Sequence, residues 1–355
     1  MSTHPAVVAV KPRAPLEIRN VPTVKPGKGE IRVKNEWTAS TPLDLHQADG
    51  GLLIAEWPHL LGDGVVGPVV EVGEGVDNLT VGDQVFGFTW RTAKEKGHQK
   101  YVTSDAFLFG KLPPGIEPQA AVTLPNNAVT AWHTINVELG IDLPWPKPAN
   151  FSPKEAESPF LVWGGSSSVG QFSIQLLKYY GFRNILTTAS KRHTDYLKEL
   201  GAAQVFDYND PGVIETIVHA RGDKAIPYII DSIGSLDGSI RPLSKIATKG
   251  SKVAVMLPVV VRDATASLEP VYAMDVTENV HWAEGVDVTG VRTHFYLKKL
   301  QPEVIPTLLA EGSLKPNRQK IIEGPTLLAR AQASMDALRN KEASGERLVW
   351  RVSDD

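Results

Sequence analysis

The stretch Phe160-Leu161-Val162-Trp163-Gly164-Gly165-Ser166-Ser167-Ser168-Val169-Gly170-Gln171 decides the fold. An apolar run stops at paired glycines, small residues follow, and Gln171 to Lys178 continues with the spacing of an amphipathic helix. Strand, tight turn and helix in that order hold a dinucleotide pyrophosphate, because glycine lets the backbone approach the anion and the first amides of the helix point at it. The turn departs from the strict fingerprint, with serine where the middle glycine usually sits, so the residues after it carry the decision.

Those residues agree with it. Asn184 to Ser190 reads as a second strand, a helix runs through Tyr196 to Leu200 and stops at Gly201, and Ala203 to Tyr208 reads as a third strand. Tyr228 to Gly234 and Ser251 to Leu257 read as a fourth and a fifth, with Val286 to Val291 as a sixth. Continuous apolar strands alternating with helices predict a doubly wound parallel sheet of the α/β class, a Rossmann domain whose cofactor-binding residues are Gly165, Ser166, Ser167, Ser168, Val169 and Gly170. The other reading of the same pattern is a doubly wound domain that binds no nucleotide.

The end of the second strand selects the dinucleotide. NAD enzymes usually carry a carboxylate there for the ribose hydroxyls, whereas this strand ends in Ser190-Lys191-Arg192-His193. Serine can bond a 2′-phosphate, and Lys191 and Arg192 can neutralise it. Two cations at a helix start are misplaced relative to the helix dipole unless an anion joins them, so NADPH is the expected cofactor. Tyr208, ending the third strand, either packs near that phosphate or caps the core.

Before the nucleotide fold, Glu30 to Lys34, Val65 to Gly73 and Val81 to Phe88 read as strands punctuated by glycine turns, giving a small β-barrel-like domain. The proline-rich run Leu143 to Pro153 predicts a loop, and the segment Pro258 to Asn279 matches no readable pattern. A chain of 355 residues with net charge -3 gives no general attraction to nucleic acid or membrane surfaces, and it has no cysteine for disulfides, thiolate zinc sites or a thiol nucleophile. No secretory or membrane-spanning run is seen, so the expectation is a soluble, cytoplasmic protein.

Five landmarks in order carry a resemblance: Thr41-Pro42-Leu43-Asp44, Leu61 to Gly67, Val76 to Val85, Leu124 to Trp132, and Ser344-Gly345-Glu346-Arg347-Leu348-Val349. The chain resembles the medium-chain dehydrogenase/reductase superfamily in its zinc-independent, quinone-oxidoreductase-like branch. Within it, the chain looks like fungal ToxD-like oxidoreductases and trans-acting enoyl reductases that serve polyketide synthases. The resemblance implies a GroES-like β-barrel catalytic domain from residues 1–127, a Rossmann NADPH-binding domain over 128–290, and a return to the catalytic domain over 291–355. It also implies a cofactor between the domains. Zinc-dependent members carry cysteine where Thr41 stands and Gly-His-Glu where Gly62-Asp63-Gly64 stands. His59 and Asp63 alone are not a closed set of ligands, so no metal is expected.

Without a metal, chemistry rests on hydride placement and hydrogen bonding, which suits reduction of a C=C conjugated to a carbonyl, in an enone, enal or enoyl thioester. Aldehyde or quinone reduction, and an NADPH-binding pathway subunit with little stand-alone activity, are the alternatives. His46 stands where some trans-acting enoyl reductases carry lysine, and is the candidate proton donor; the plain alternative is a helix-surface histidine. Asp44 reads as the cap of that helix. Thr130 resembles the threonine that touches the nicotinamide ribose or carboxamide, giving it catalytic and cofactor roles. Thr41, Trp57 and Trp132 are candidate substrate-pocket residues, although such tryptophans are more often core. A small molecule with a conjugated carbonyl is the expected partner, with docking to a polyketide synthase implied by the resemblance and monomer or homodimer both open.

Overall fold

The computed structural model describes residues 2–222, 224–265, 267–293 and 298–353, and the statements below concern these. The chain forms two units, Met1–Asn126 with Leu297–Asp355, and Asn127–Tyr296.

In the second unit six strands lie side by side in the spatial order Gln204–Phe206, Ile185–Thr188, Phe160–Trp163, Tyr228–Asp231, Lys252–Met256, Asp287–Val291. Every pairing is parallel, with Phe160 opposite both Ile185 and Tyr228. Chain order therefore reverses at Phe160–Trp163, and open α/β sheets take their ligands outside the carboxyl ends of the strands at such a point. Leu161, Leu186, Ile229, Val253 and Val255 form the sheet's part of a core, against which Ile217 of helix Val213–Ala220 and Leu243 and Ile246 of helix Arg241–Ile246 are buried. The doubly wound α/β expectation holds, and the sixth strand is present.

The proline-rich loop is held by aromatic rings. Tyr180 is fully buried, donates its hydroxyl to the Pro144 carbonyl at 3.0 Å, and meets Phe151 and Trp132 edge-on at 5.8 and 5.7 Å. The unreadable segment holds a hairpin, Val259–Arg262 against Val271–Ala273. Its register shifts between Val260 and Arg262, which breaks the two-residue alternation that would have announced a strand.

The first unit is built on sheets. Arg318–Ile321, Glu346–Arg351, Trp37–Ala39, Gly64–Val72, Glu30–Lys34 and Tyr101–Asp105 form a continuous path, extended by Gln84–Phe88 and Phe109–Lys111. The chain's return closes it: Val349 and Arg351 pair antiparallel with Ala39 and Trp37. Helix Leu327–Arg339 anchors the returning strand to helix Pro42–Gly50, because Arg339 pairs with buried Asp49 at 2.7 Å. Ser40 Oγ accepts from Ser334 Oγ and from Trp350 Nε1, both at 2.9 Å. Among the described residues no helix is long and apolar enough to cross a membrane.

One close contact fixes the second unit. A β-carbon at Gly170, in helix Ser168–Tyr180, would lie 2.4 Å from the Gly164 carbonyl oxygen and 2.8 Å from Gly165 Cα. Alanine normally stabilises a helix over glycine by about 1 kcal/mol. Here that gain is outweighed, because backbone on the far side cannot give way. Gly170→Ala is expected to lower unfolding free energy by about 1–3 kcal/mol in urea titrations, and a neutral or stabilising result counts against the contact.

Candidate functional site

The glycine turn is tied to the neighbouring strand. Gly164 has φ 82° and donates its amide to Thr188 Oγ1 at 2.9 Å, while the Gly165 amide goes to the Thr188 carbonyl at 2.9 Å. A β-carbon at Gly165 would lie 2.0 Å from Thr187 Oγ1, so only glycine fits. The serines do local work. Ser167 is the N-cap, with φ -66° and ψ 159°, and its hydroxyl accepts the Gly170 amide at 3.0 Å. The Ser166 carbonyl accepts from Gln171 Nε2 at 2.9 Å, and Ser168 Oγ accepts from Asn127 Nδ2 at 2.7 Å. Val169 lies in the same first turn, where a helix has no preceding carbonyls for its amides. A turn that any β-carbon would fill, facing the start of a 13-residue helix, fits a pyrophosphate.

At the next strand, Ser190 follows Ile185–Thr188, and Lys191 and Arg192 occupy a single 3-10 turn, Lys191–His193, ahead of helix Thr194–Leu200. Both cations are exposed. Arg192 Nε donates to His193 Nε2 at 3.3 Å. Tyr208 is half exposed two residues beyond strand Gln204–Phe206. The backbone brings the two strand ends together, since the Ala189 amide donates to the Phe206 carbonyl at 2.9 Å. Asp207 has its carboxyl held below the usual range, chiefly by the Asn209 amide and in smaller part by the charge of Lys191.

Thr130 lies in helix Pro125–His133, nearly buried, with its hydroxyl 3.3 Å from that of Thr293. Thr293 follows strand Asp287–Val291, so the pair stands at the carboxyl end of the sheet. Sequence reasoning missed Thr293 because a lone threonine after a strand gives no signal. Trp132 is 3% exposed, edge-on to Trp145 and Tyr180, and in this structure packs the aromatic cluster under the proline-rich loop.

In the other unit, the segment from Thr41 to Asp44 differs in detail from expectation. Thr41, not Asp44, is the N-cap of helix Pro42–Gly50; Asp44 is the third helical residue and completes a capping box. Thr41 donates its amide and hydroxyl to Asp44 Oδ2 at 2.7 and 3.2 Å, and Gly62 donates its amide to Asp44 Oδ1 at 2.9 Å. Asp44 thus joins the helix start to the Gly62-Asp63 turn, which a sequence motif cannot show. His46 is partly buried in the middle of the helix, and Trp57 is partly buried against the core around Val7, Leu61 and Trp350. His59 pairs with Ala9 in a short strand, and its Nε2 is buried without a partner. Asp63 is buried, takes a hydrogen bond from Asn126 Nδ2, and leaves Oδ1 without a partner. Burial, reinforced by the Asp44 charge, pushes its carboxyl up to about 7 against the opposing pull of Arg347 and Lys96. Among the described residues no group of three or more His, Asp or Glu is placed to hold a metal ion.

The fourth strand ends on Asp231, another buried carboxylate, to which the sequence analysis gave no role. It accepts the amides of Ile233 and Gly234 at 3.0 and 3.2 Å and the Ser239 hydroxyl at 2.7 Å. Ser232 Oγ then donates to the Trp163 and Gly164 carbonyls at 2.6 and 3.0 Å, tying this loop to the glycine turn. Burial raises the Asp231 carboxyl to about 6, despite these three donors. A carboxyl raised on folding stabilises fully below its unfolded pKa, and the contribution is lost as pH climbs to the folded value. Between pH about 4 and 6 the protein should therefore lose on the order of 3 kcal/mol that Asp231→Asn does not lose. Denaturation of both forms at pH 4 and pH 7 checks this, and a difference that does not change with pH counts against it.

Two family models match: an alcohol dehydrogenase GroES-like domain over residues 27–131 and a zinc-binding dehydrogenase domain over residues 168–276. The trans-enoyl reductase himH of Aspergillus japonicus is 35% identical over 214 residues, 59% of this chain and 60% of that protein, so the chain spans about three-fifths of that relative's length. The trans-enoyl reductase tndF of Aspergillus flavipes is 31% identical over 71% of this chain and 73% of that protein. Among solved structures, the quinone oxidoreductase of Escherichia coli complexed with NADPH superposes with a TM-score of 0.73 at 17% identity, over 98% of this chain and 99% of that one, which speaks for the fold. The glycine turn, the reversed strand order, the returning C-terminal strand and these matches converge: the chain belongs to the medium-chain dehydrogenase/reductase superfamily.

Proposed function

We propose that this protein is an NADPH-dependent, zinc-independent reductase of an activated double bond, the C=C of an enone, enal or enoyl thioester. The observation that carries the cofactor choice is the pair of exposed cations, Lys191 and Arg192, after Ser190 at the carboxyl end of the second strand. Ser190 and the two cations would hold a 2′-phosphate, with Tyr208 beside them; Gly165 to Gly170 would hold the pyrophosphate, and Thr130 the nicotinamide end. When bound, the cofactor supplies a hydride. His46 is proposed as the proton donor, with Thr41 and Trp57 lining the substrate side. The names of himH and tndF support the enoyl assignment, and docking to a polyketide synthase is part of the same proposal.

The chain's own residues favour a conjugated acceptor. With no cysteine and no Gly-His-Glu motif there is no thiolate zinc site to polarise an isolated ketone. A conjugated acceptor needs less help, because charge arriving at the β-carbon delocalises onto a distant oxygen, where hydrogen-bond donors suffice.

Two measurements follow. Lys191→Ala and Arg192→Ala should each weaken NADPH binding by about 1–3 kcal/mol and leave NADH binding nearly unchanged; equal affinity of the unmodified protein for both cofactors counts against the phosphate pocket. Product analysis with NADPH and enones or enoyl thioesters should give the saturated carbonyl. Allylic alcohol from the same substrates would reassign the protein as a carbonyl reductase.

A further inference from the structure

The polar groups around the Gly62-Asp63 turn are more numerous than folding uses. Asp44 is satisfied by the Thr41 and Gly62 donors. Its neighbours are not: Asp63 Oδ1, both ring nitrogens of His98, His59 Nε2 and Arg347 Nε are buried without a hydrogen-bond partner. His98 packs directly on the turn, since a β-carbon at Gly62 would lie 2.3 Å from its Cδ2. Each buried group left unsatisfied is destabilising, so their concentration in one place marks a locus kept for something other than packing.

Two cations act on Asp63, Arg347 and Lys96. Arg347 belongs to strand Glu346–Arg351 and is 7% exposed, inside the sheet. Lys96 lies on the loop between Gln84–Phe88 and Tyr101–Asp105, and that loop is pinned to the turn. Gly97 donates its amide to the Gly62 carbonyl at 3.0 Å, His98 donates to Leu61 at 3.1 Å, and Gln99 Nε2 donates to the Lys96 carbonyl at 2.8 Å. The Lys96 side chain is partly buried, and among the described residues it meets no carboxylate at ion-pair distance. Of the two cations, Lys96 is the more exposed, and the hydrogen bonds of Gly97 and His98 fix the backbone that carries it.

We propose that Lys96 is the cation that receives the substrate's carbonyl oxygen as it takes on negative charge, with Asp63 the positioning residue beside it. This rests on the reading of the protein as a reductase of activated double bonds. Hydride addition forms a C–H bond at the β-carbon, and the C=C electron pair moves to leave an enolate oxyanion. The Lys96 ammonium donates a hydrogen bond to that oxygen and keeps its own proton. The α-carbon then takes a proton from His46, which regains one from water. The charges around Lys96 set its working range: burial favours the neutral amine, while Asp63, Asp44 and Glu95 favour the ammonium, and burial, with the Lys96 charge, disfavours a second positive charge on His59 or His98. Burial prevails, so the ammonium is lost at lower pH than that of a free lysine, and turnover should fall on the alkaline side.

The test compares Lys96→Met, Lys96→Arg and Asp63→Asn with the unmodified protein, using NADPH and whichever acceptor the latter reduces. Lys96→Met should lose kcat on the order of 10²–10³-fold while its NADPH dissociation constant stays within about twofold. Lys96→Arg should retain more activity and lose the alkaline limb, because guanidinium stays charged. Asp63→Asn should move that limb to lower pH, since a carboxylate favouring the ammonium is gone. A binding readout without turnover uses 4-nitrophenol with the NADP⁺ complex: the unmodified protein should favour the phenolate, seen in its absorbance, and Lys96→Met should not. A Lys96→Met enzyme within about threefold of normal kcat, an alkaline limb unchanged in Lys96→Arg, or no phenolate preference in the unmodified protein overturns the proposal. If the product is allylic alcohol, the C=C reading fails separately, and kcat of Lys96→Met still decides, because carbonyl reduction leaves an alkoxide on the same oxygen. If no acceptor is reduced, the phenolate titration decides alone.

Discussion

The nucleotide unit is organised by the absence of a side chain at residue 170. With the Gly164 carbonyl 2.4 Å from where a β-carbon would stand, helix Ser168–Tyr180 sits as close to the first strand as backbone allows. That closeness determines how the turn can be held. Thr187 and Thr188 of the second strand grip it from one side, through the Gly164 and Gly165 amides and the space left by the missing Gly165 side chain. Ser232 of the fourth strand's loop grips it from the other, and Asp231 holds that loop. Of the serines between the glycines, Ser167 caps the helix, while Ser166 and Ser168 accept from Gln171 and Asn127. A turn fixed from three strands needs no loop rearrangement to meet a phosphate pair, which is the physical content of preorganisation.

The other unit solves a different problem, because its polar groups are buried under a sheet that the chain leaves and re-enters. Two carboxylates stand near one turn with opposite treatment. Asp44 receives three donors and links the start of helix Pro42–Gly50 to Gly62. Asp63 receives one and is pushed toward the protonated form. Arg347 arrives from the far end of the sequence, on the strand that pairs with Trp37–Ala39. The Arg347 part of this turn's electrostatics therefore exists only once the last segment has docked, held there by the Arg339–Asp49 pair and the Trp350–Ser40 hydrogen bond.

Periodicity revealed the parallel sheet because buried strands such as Phe160–Trp163 are apolar throughout, and glycine turns were visible for the same steric reason that makes them necessary. The hairpin Val259–Arg262 with Val271–Ala273 was hidden by its register shift. The cap at Thr41 was misread as Asp44 because both residue types cap helices and the spacing between them is that of a capping box. The strand His59–Leu60 follows Pro58 and is only two residues long, too short for alternation to announce it. Lys96, His98 and Arg347 gave no motif at all. Arg347 lies far from the other two in sequence, and only tertiary structure brings its charge and that of Lys96 to Asp63.

These arrangements bear on why a single ammonium would suffice under the proposed function. A metal ion stabilises a developing oxyanion by full charge at short range, and needs a closed set of ligands to hold it. An ammonium on a flexible stem gives less, unless water is kept away and its position is fixed beforehand. The loop that carries Lys96 supplies the second condition through the Gly97–Gly62 and His98–Leu61 hydrogen bonds. Burial supplies the first, at the cost of making the ammonium easier to deprotonate. Asp63 offsets part of that cost without forming a contact ion pair that would occupy the donor. The stabilisation available is modest, which matches an enolate, whose charge is already shared between oxygen and carbon, better than the localised alkoxide of a simple ketone.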